Sequence, residues 1–279
     1  MSGDPTTNDT VLTTGANSGI GLATVVELAK QGYRSIGSVR SDAKADVVHK
    51  AAADAGVTVE TVILDVTDAD ACHAVIGDLD VDLYALVNNA GYGMTGAIED
   101  VTDDEAHHLF DTMVFAPIRL ARLALPGMRT AGRGRIINVS SIMGRTSTPL
   151  TGWYQGAKHA LEGLSDALRL EVANAGVHVV LVEPGGFRTS IWEDLERDID
   201  KRGDSRFGTA YRRTQQAMKL SSPIMGDPSQ CARVIVNAVG TRRPRARYLV
   251  GVDAVALAAA DRFTPTVVKD RVLRLTLGL

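Results

Sequence analysis

One doubly wound α/β domain, built on a parallel sheet flanked by helices, is the fold class this sequence predicts. Three observations carry the prediction. Short β-branched runs recur along the chain: "TVLTTG", "SIGSVR", "VETVILDV", "LYALVNNAG", "GRIINVSS" and "VHVVLVEPGG". Helix-patterned segments lie between most of them, such as Ile20 to Lys30, the stretch after Thr102, and Tyr154 to Ala173. The runs are also apolar nearly throughout, which means burial on both faces, as in parallel strands covered by helices. No repeat or low-complexity linker divides the 279 residues, so a single domain over 10–279 is expected behind a frayed tail at 1–9.

Composition narrows the classes of function. The chain is 45% hydrophobic, enough for a substantial core. A formal charge of −3 gives no electrostatic case for a nucleic acid or an anionic membrane as partner. Cys72 and Cys231 lie too far apart for a metal-ligand or redox spacing and read as buried thiols. The opening "MSGDPTTNDT" is polar with no basic, apolar leader, and "VDAVALAAADRF" is too short to span a bilayer. A cytoplasmic protein acting on a small molecule is expected.

The first loop, "TGANSGIG", sits between the first strand and the first helix, and Gly15, Gly19 and Gly21 have the spacing GxxxGxG. Glycines there let the backbone turn tightly and approach a pyrophosphate, whose charge is favoured at the helix N-terminus. The second strand ends "GSVRS". An NAD protein commonly carries an acid at this point; this chain has Val39 and then Arg40, with Ser18 nearby in the glycine loop. A guanidinium suits a 2′-phosphate that a carboxylate would repel, so NADP(H) is expected over NAD. A surface arginine is the alternative reading of Arg40.

Further along, Thr102 to Glu105 has the spacing of a capping box, a structural feature. His107 and His108 follow on a carboxylate-rich helix and read as a solvated face. "WYQGAKHALEG" places Tyr154 and Lys158 four positions apart on a helix. A free tyrosine titrates near 10, and a lysine beside it would favour the phenolate and lower that value. Alone, the pair is more often structural. Residues 190–226 are charged and strand-free and follow a strand that ends at the same edge as the others, as a helical lid over a pocket would; a solvated excursion is the alternative. "TRRPRARY", 241 to 248, reads as a solvated turn before a last strand.

TGANSGIG at 14, NNAG at 88, a serine pair at 140–141 and YQGAK at 154 stand in one order. Together they resemble the short-chain dehydrogenase/reductase family, with its Rossmann domain, from about residue 9 to 190. "YQGAKHALEG", "VHVVLVEPGGFRT" and the late "RYLVGVDA" are most similar to its 17β-hydroxysteroid dehydrogenase-like branch. The resemblance implies an NADPH-dependent ketoreductase or alcohol dehydrogenase. Ser141, thirteen residues before Tyr154, would hydrogen-bond the substrate oxygen, while Ser140 supports the strand end. Tyr154 would donate the proton, and Lys158 would depress its pKa and bind the nicotinamide ribose. Gly15, Asn17, Ser18, Gly19, Ile20 and Gly21 would cradle the cofactor with Arg40. Asp65 and the backbone of Val66 would meet the adenine, and Asn88, Ala90 and Gly91 would line the cleft. Pro184, Gly185 and Thr189 would embrace the nicotinamide. Dimers or tetramers through the helices carrying Met113 and Tyr154 are implied as well.

Met94, Met143, Trp153, Phe187 and Trp192 lie around the expected substrate edge and suggest a bulky, apolar carbonyl compound, though each could equally be core packing. One position departs from the family: in "DTMVFAPIRL" Met113 stands where an asparagine is usual. Methionine donates no hydrogen bond, which puts the resupply of protons behind the lysine in doubt. A dinucleotide-binding sensor that has kept the fold and lost the chemistry is the alternative function.

Overall fold

The computed structural model describes residues 9–79, 83–221 and 225–279. Its sheet contains β1 (Thr10–Thr13), β2 (Arg34–Val39), β3 (Glu60–Ile63), β4 (Leu83–Asn88), β5 (Gly134–Val139), β6 (Val177–Pro184) and β7 (Arg247–Val250). All pairs are parallel, in the order β3-β2-β1-β4-β5-β6-β7. The winding reverses between β1 and β4, which opens a crevice at the C-terminal ends of those strands. Every apolar run picked out in the sequence contains one of these strands.

Burial explains why the runs do not alternate. Val11, Val87 and Ile137 face one layer and pack with Leu28, Ile235 and Val239. Their neighbours Leu12, Leu86 and Ile136 face the other and pack with Leu120, Leu125 and Met128. Successive strand residues point to opposite faces, and here both faces are fully covered. Fully burying such a side chain is worth about 1.5–3 kcal/mol. The two edge strands are the exception. β3 lies at one edge of the sheet, where cover ends and Ile63 is 52% exposed, and β7 at the other edge is likewise only half-buried over Arg247, Tyr248 and Leu249.

The helices are α1 (Gly19–Lys30), α2 (Asp42–Asp54), α3 (Ala69–Asp78), α4 (Asp103–Phe110), α5 (Ala116–Ala131), α6 (Gly152–Glu171), α7 (Ile191–Lys201), α8 (Gly208–Ser221), α9 (Pro228–Gly240), α10 (Val252–Phe263) and α11 (Thr266–Leu277). The capping box forms as read: Glu105 N–H donates to Thr102 Oγ1 at 3.3 Å, and Thr102 N–H to Glu105 Oε2 at 3.0 Å. Between α4 and α5 one π-helical turn, Asp111–Phe115, admits an extra residue. Its place in the chain was not legible from periodicity.

Residues 190–226 form α7 and α8 and are held down rather than solvated. Arg202, buried, pairs with Glu105 at 3.2 Å, and Thr95 N–H donates to Asp198 Oδ2 at 3.1 Å. Tyr211 donates to Asp100 and accepts from Ala97 N–H, each at 2.7 Å. The segment is not wholly strand-free: at its end Gly226 bridges Phe187 in parallel. The frayed stretch expected at 1–9 lies outside the described residues except for Asp9. That residue is ordered against expectation, buried with its carboxylate on Arg133 at 2.7 Å. Among the described residues no helix is long and apolar enough to cross a membrane.

Candidate active site

Because every strand is parallel, the loops after β1, β2, β4, β5 and β6 all emerge at one edge. The first holds the glycines. Gly15 and Gly19 have positive φ of +67° and +51°, where a side chain is strained. A Cβ at Gly21 would run into the Gly15 carbonyl and the Asn89 amide, and one at Gly19 would lie 2.9 Å from Thr189. α1 carries no acid in its first turn, and its N-cap Ser18 makes no side-chain cap bond. The positive end of the helix is therefore uncompensated, as a pyrophosphate site requires.

The loop is fixed by residues whose role was not legible in the sequence. Thr14 Oγ1 accepts from Asn89 N–H at 3.0 Å and Ala90 N–H at 2.9 Å. The Asn89 amide donates to Thr14 O at 3.0 Å and Gly15 O at 3.2 Å. Asn88, by contrast, turns its side chain inward, donating to Asn138 Oδ1 at 2.8 Å and Pro117 O at 3.2 Å. Its part in the cleft is thus confined to its backbone, and the motif "NNAG" gives no sign of which asparagine turns which way. Ala90 and Gly91 follow at the rim of β4, while Asn17 is half-buried in the glycine loop and Ile20 packs partly into the core.

At the end of β2 Arg40 is exposed, and its charge reaches Asp65 at the end of β3. The Asp65 carboxyl is held below its ordinary range chiefly by hydrogen bonds from Thr67 N–H (3.0 Å) and hydroxyl (2.7 Å). Val66 is buried, and its carbonyl accepts from Arg119 at 2.9 Å.

After β6, Gly185 N–H donates to Val250 O at 2.9 Å and Gly186 N–H to Asp253 Oδ2 at 2.6 Å. Asp253 is distant in sequence, and nothing local signalled it. Pro184 is buried at the strand end, and Thr189 lies over the glycine loop. Between that loop and α7 and α8 is a cleft of about 590 Å³ lined by Gly19, Thr189, Trp192, Met218 and Met225 together with the charged Arg188, Glu193, Glu196 and Lys219.

Ser141, Tyr154 and Lys158 come together where β5 ends beside α6. Ser141 Oγ accepts from Met143 N–H at 3.1 Å, and the Ser141 side chain is the polar neighbour that opposes the rise of the Tyr154 phenol. Lys158 is buried, donates to Val139 O at 2.9 Å and holds Nζ 5.8 Å from the Tyr154 ring centre. Burial raises the Tyr154 phenol, and the Ser141 side chain opposes that rise. Burial also pushes the Lys158 ammonium down to about 8, against the charge of Glu162. The phenol is therefore a protonated acid at neutral pH.

Of the substrate-edge candidates, Trp192 lines the cleft and donates its indole N–H to Phe187 O at 2.7 Å. Met94 is buried in the apolar cluster that Tyr154 and Trp153 pack against. Met143 is half-buried, its sulfur facing Thr146 and Gln155 at 3.7 Å each. Phe187 is corrected: it is 3% exposed and belongs to the core with Val139, Val182 and Cys231, because Gly226 seals it from above. Met113 lies in the π turn, buried among Met94, Leu109 and Ala157, and its terminal methyl approaches Gly91 so closely that a Cβ there would be 2.9 Å away.

The short chain dehydrogenase family profile matches residues 9–200. An uncharacterized oxidoreductase of Bacillus subtilis (strain 168), YusZ, is 35% identical over 86% of this chain and 88% of its own length. An NADPH-dependent 3-dehydrocapnine reductase of Ornithobacterium rhinotracheale is 30% identical over 93% of this chain and 94% of its own. Among solved structures, an actinorhodin polyketide ketoreductase variant with NADPH superposes with a TM-score of 0.76 at 25% identity, covering 92% of this chain and 99% of that one.

Proposed function

The chain belongs to the short-chain dehydrogenase family of oxidoreductases, and on that premise we propose that it is an NADPH-dependent reductase of a bulky, apolar ketone or aldehyde, reversible as an alcohol dehydrogenase. The observation that carries this reading is the meeting of Ser141, Tyr154 and Lys158 at the sheet edge that also presents the glycine loop.

The residues fit the cofactor. The glycine cradle and the bare N-terminus of α1 suit a pyrophosphate, and the exposed Arg40 suits a 2′-phosphate. A relative and a structural neighbour named for NADPH support the same choice. When bound, NADPH supplies hydride to the carbonyl carbon. Negative charge then develops on the carbonyl oxygen and needs donors already in place. Ser141 offers one hydrogen bond. Tyr154 offers another and gives up its proton, and Lys158 is the buried ammonium behind it. Trp192, Met218 and Met225 give the cleft an apolar wall beside the charged Arg188, Glu193, Glu196 and Lys219, with α7 and α8 as its lid. A homodimer or homotetramer through α5 and α6 is part of the reading, supported by Phe115, Leu164 and Leu170, which are 54%, 43% and 68% exposed on and beside those helices. The buried free thiols fit a cytoplasmic setting.

The test is NADPH oxidation with a panel of aliphatic, aromatic and polycyclic ketones, run in parallel with NADH. Turnover with NADPH on the larger apolar members is expected. Tight NADPH binding with no oxidation by any member would favour the sensor reading instead.

A further inference from the structure

Lys158 has a neighbour that the proposed chemistry leaves unused. Glu162 lies one helical turn further along α6 and is buried, with 7% exposure. Its two oxygens have different surroundings. Oε2 accepts from Arg247 Nε at 3.2 Å and Nη2 at 3.1 Å, whereas Oε1 is buried without a hydrogen-bond partner. The Ser140 hydroxyl, also buried, is likewise unpartnered. Both atoms converge on Gly144: a Cβ there would lie 2.9 Å from Ser140 Oγ and 3.4 Å from Glu162 Oε1. Ser140 in turn directly follows Val139, whose carbonyl receives Lys158. A buried polar group without a partner opposes folding, so two orphans facing one spot behind a buried lysine call for a reason.

Resting on the reading of Lys158 as the ammonium behind Tyr154, we propose that Glu162 is a positioning residue for the reduction: its carboxylate, buried one turn from Lys158 with Oε1 beside Gly144 and the Ser140 hydroxyl, is the negative charge against which Lys158 stays protonated in the interior. Met113 gives this importance. In the π turn it supplies only apolar volume beside Ala157 and Tyr154, so polar support for Lys158 comes from the Glu162 side. Burial drives Lys158 toward the neutral amine, and Glu162 is the charge that opposes it. The other charged groups of this neighbourhood are Glu183 on β6, Arg145 after β5, Arg247 on β7, and Asp166 and Arg169 on α6. Arg145 and Arg247 both pair with Glu183, at 2.8 and 3.1 Å, and Arg247 with Asp166 at 2.6 Å. The arginines are thus anchored by carboxylates besides Glu162.

The sign is fixed by the charge. Removing Glu162's carboxylate makes the ammonium harder to keep, so the Lys158 midpoint falls, and the alkaline limb of kcat/KM for ketone reduction moves to lower pH with it. The direct measurement is an NMR titration of the lysine ε-methylene groups in the full-length protein, with Lys158 assigned by its loss in Lys158→Met. In Glu162→Gln the Lys158 midpoint is expected to fall by about one pH unit, the lower end of the range for a nearby opposite charge. Glu162→Asp keeps the charge but draws it back, so its midpoint lies between the two and decides the matter should the glutamine variant fail to fold. Arg247→Gln, which frees Oε2 while leaving the carboxylate, is expected to lower Tm without lowering the midpoint. A Lys158 midpoint the same in Glu162→Gln as in wild type, or lowered equally by Arg247→Gln, overturns the proposal and leaves Glu162 an ion-pair residue. If no ketone is reduced by wild type, the catalytic reading falls, while the NMR midpoint still decides the part of Glu162.

Discussion

At the scale of single residues, the site is a set of buried polar groups whose charges are set by burial as much as by each other. Lys158 is the clearest case, an ammonium held in the interior with its value pushed down to about 8. Keeping it charged there opposes folding. Lys158→Met is therefore expected to raise the Tm of the cofactor-free protein by about 2–4 °C, the shift that 1 kcal/mol produces in a domain of this class, while abolishing turnover and weakening cofactor binding. Calorimetry decides the first half; a lower Tm would show that the bond to Val139 O outweighs the burial cost. Arg40 is the opposite kind of residue, exposed at the end of β2, and in the proposed reading it meets the 2′-phosphate. Arg40→Ala is expected to weaken NADPH binding about ten- to a hundredfold, the worth of a hydrogen bond to a charged group, with NADH binding nearly unchanged. Titration calorimetry with both cofactors checks it, and equal losses would make Arg40 structural.

At the scale of elements, the proposed function has α7 and α8 as a lid, and a set of distant contacts pins them. Tyr211 of α8 joins two polar groups of the segment before α4, Asp100 and Ala97 N–H, and is itself 2% exposed. Burial, opposed by the bond from Ala97 N–H, pushes its phenol up to about 12, so it remains a donor across the working pH range. Tyr211→Phe leaves Ala97 N–H unpaired and leaves Asp100 with the Ser205 hydroxyl alone, at 2.6 Å. A loss of about 1–3 kcal/mol is expected, read as a lower urea midpoint together with faster proteolysis between α7 and α8. If cleavage there is unchanged while stability falls, the hydroxyl supports the core and does not latch the lid. None of these contacts was legible in the sequence. Tyr211 meets Asp100 across 111 positions, and neither sits in a motif or a periodic pattern that would announce the other.

For the molecule as a whole, the strands and the positions of the motifs were legible because both are local. Continuous apolar runs mark strands buried on two faces, and Val11 beside Leu12 or Ile136 beside Ile137 bear this out with opposite layers equally covered. Ser141, Tyr154 and Lys158 were singled out by the family resemblance, since the Tyr154–Lys158 spacing alone reads as structural, and one strand end and one helix bring the three into one region. What escaped depends on side-chain direction or distant pairing. Phe187 resembled a substrate contact until Gly226 closed over it, Asn88 and Asn89 are indistinguishable in sequence, and Asp253 reaches Gly186 from 67 positions away. The assembled account stands on one claim, that this sheet edge protonates a carbonyl oxygen through Tyr154 as NADPH delivers hydride. Single-turnover oxidation of bound NADPH by a reducible ketone, followed in wild type and Tyr154→Phe, tests it most directly. The variant is expected to fold and to bind NADPH as wild type does, yet to oxidise it about a hundredfold more slowly or worse. Near-normal oxidation by the phenylalanine variant would contradict the account.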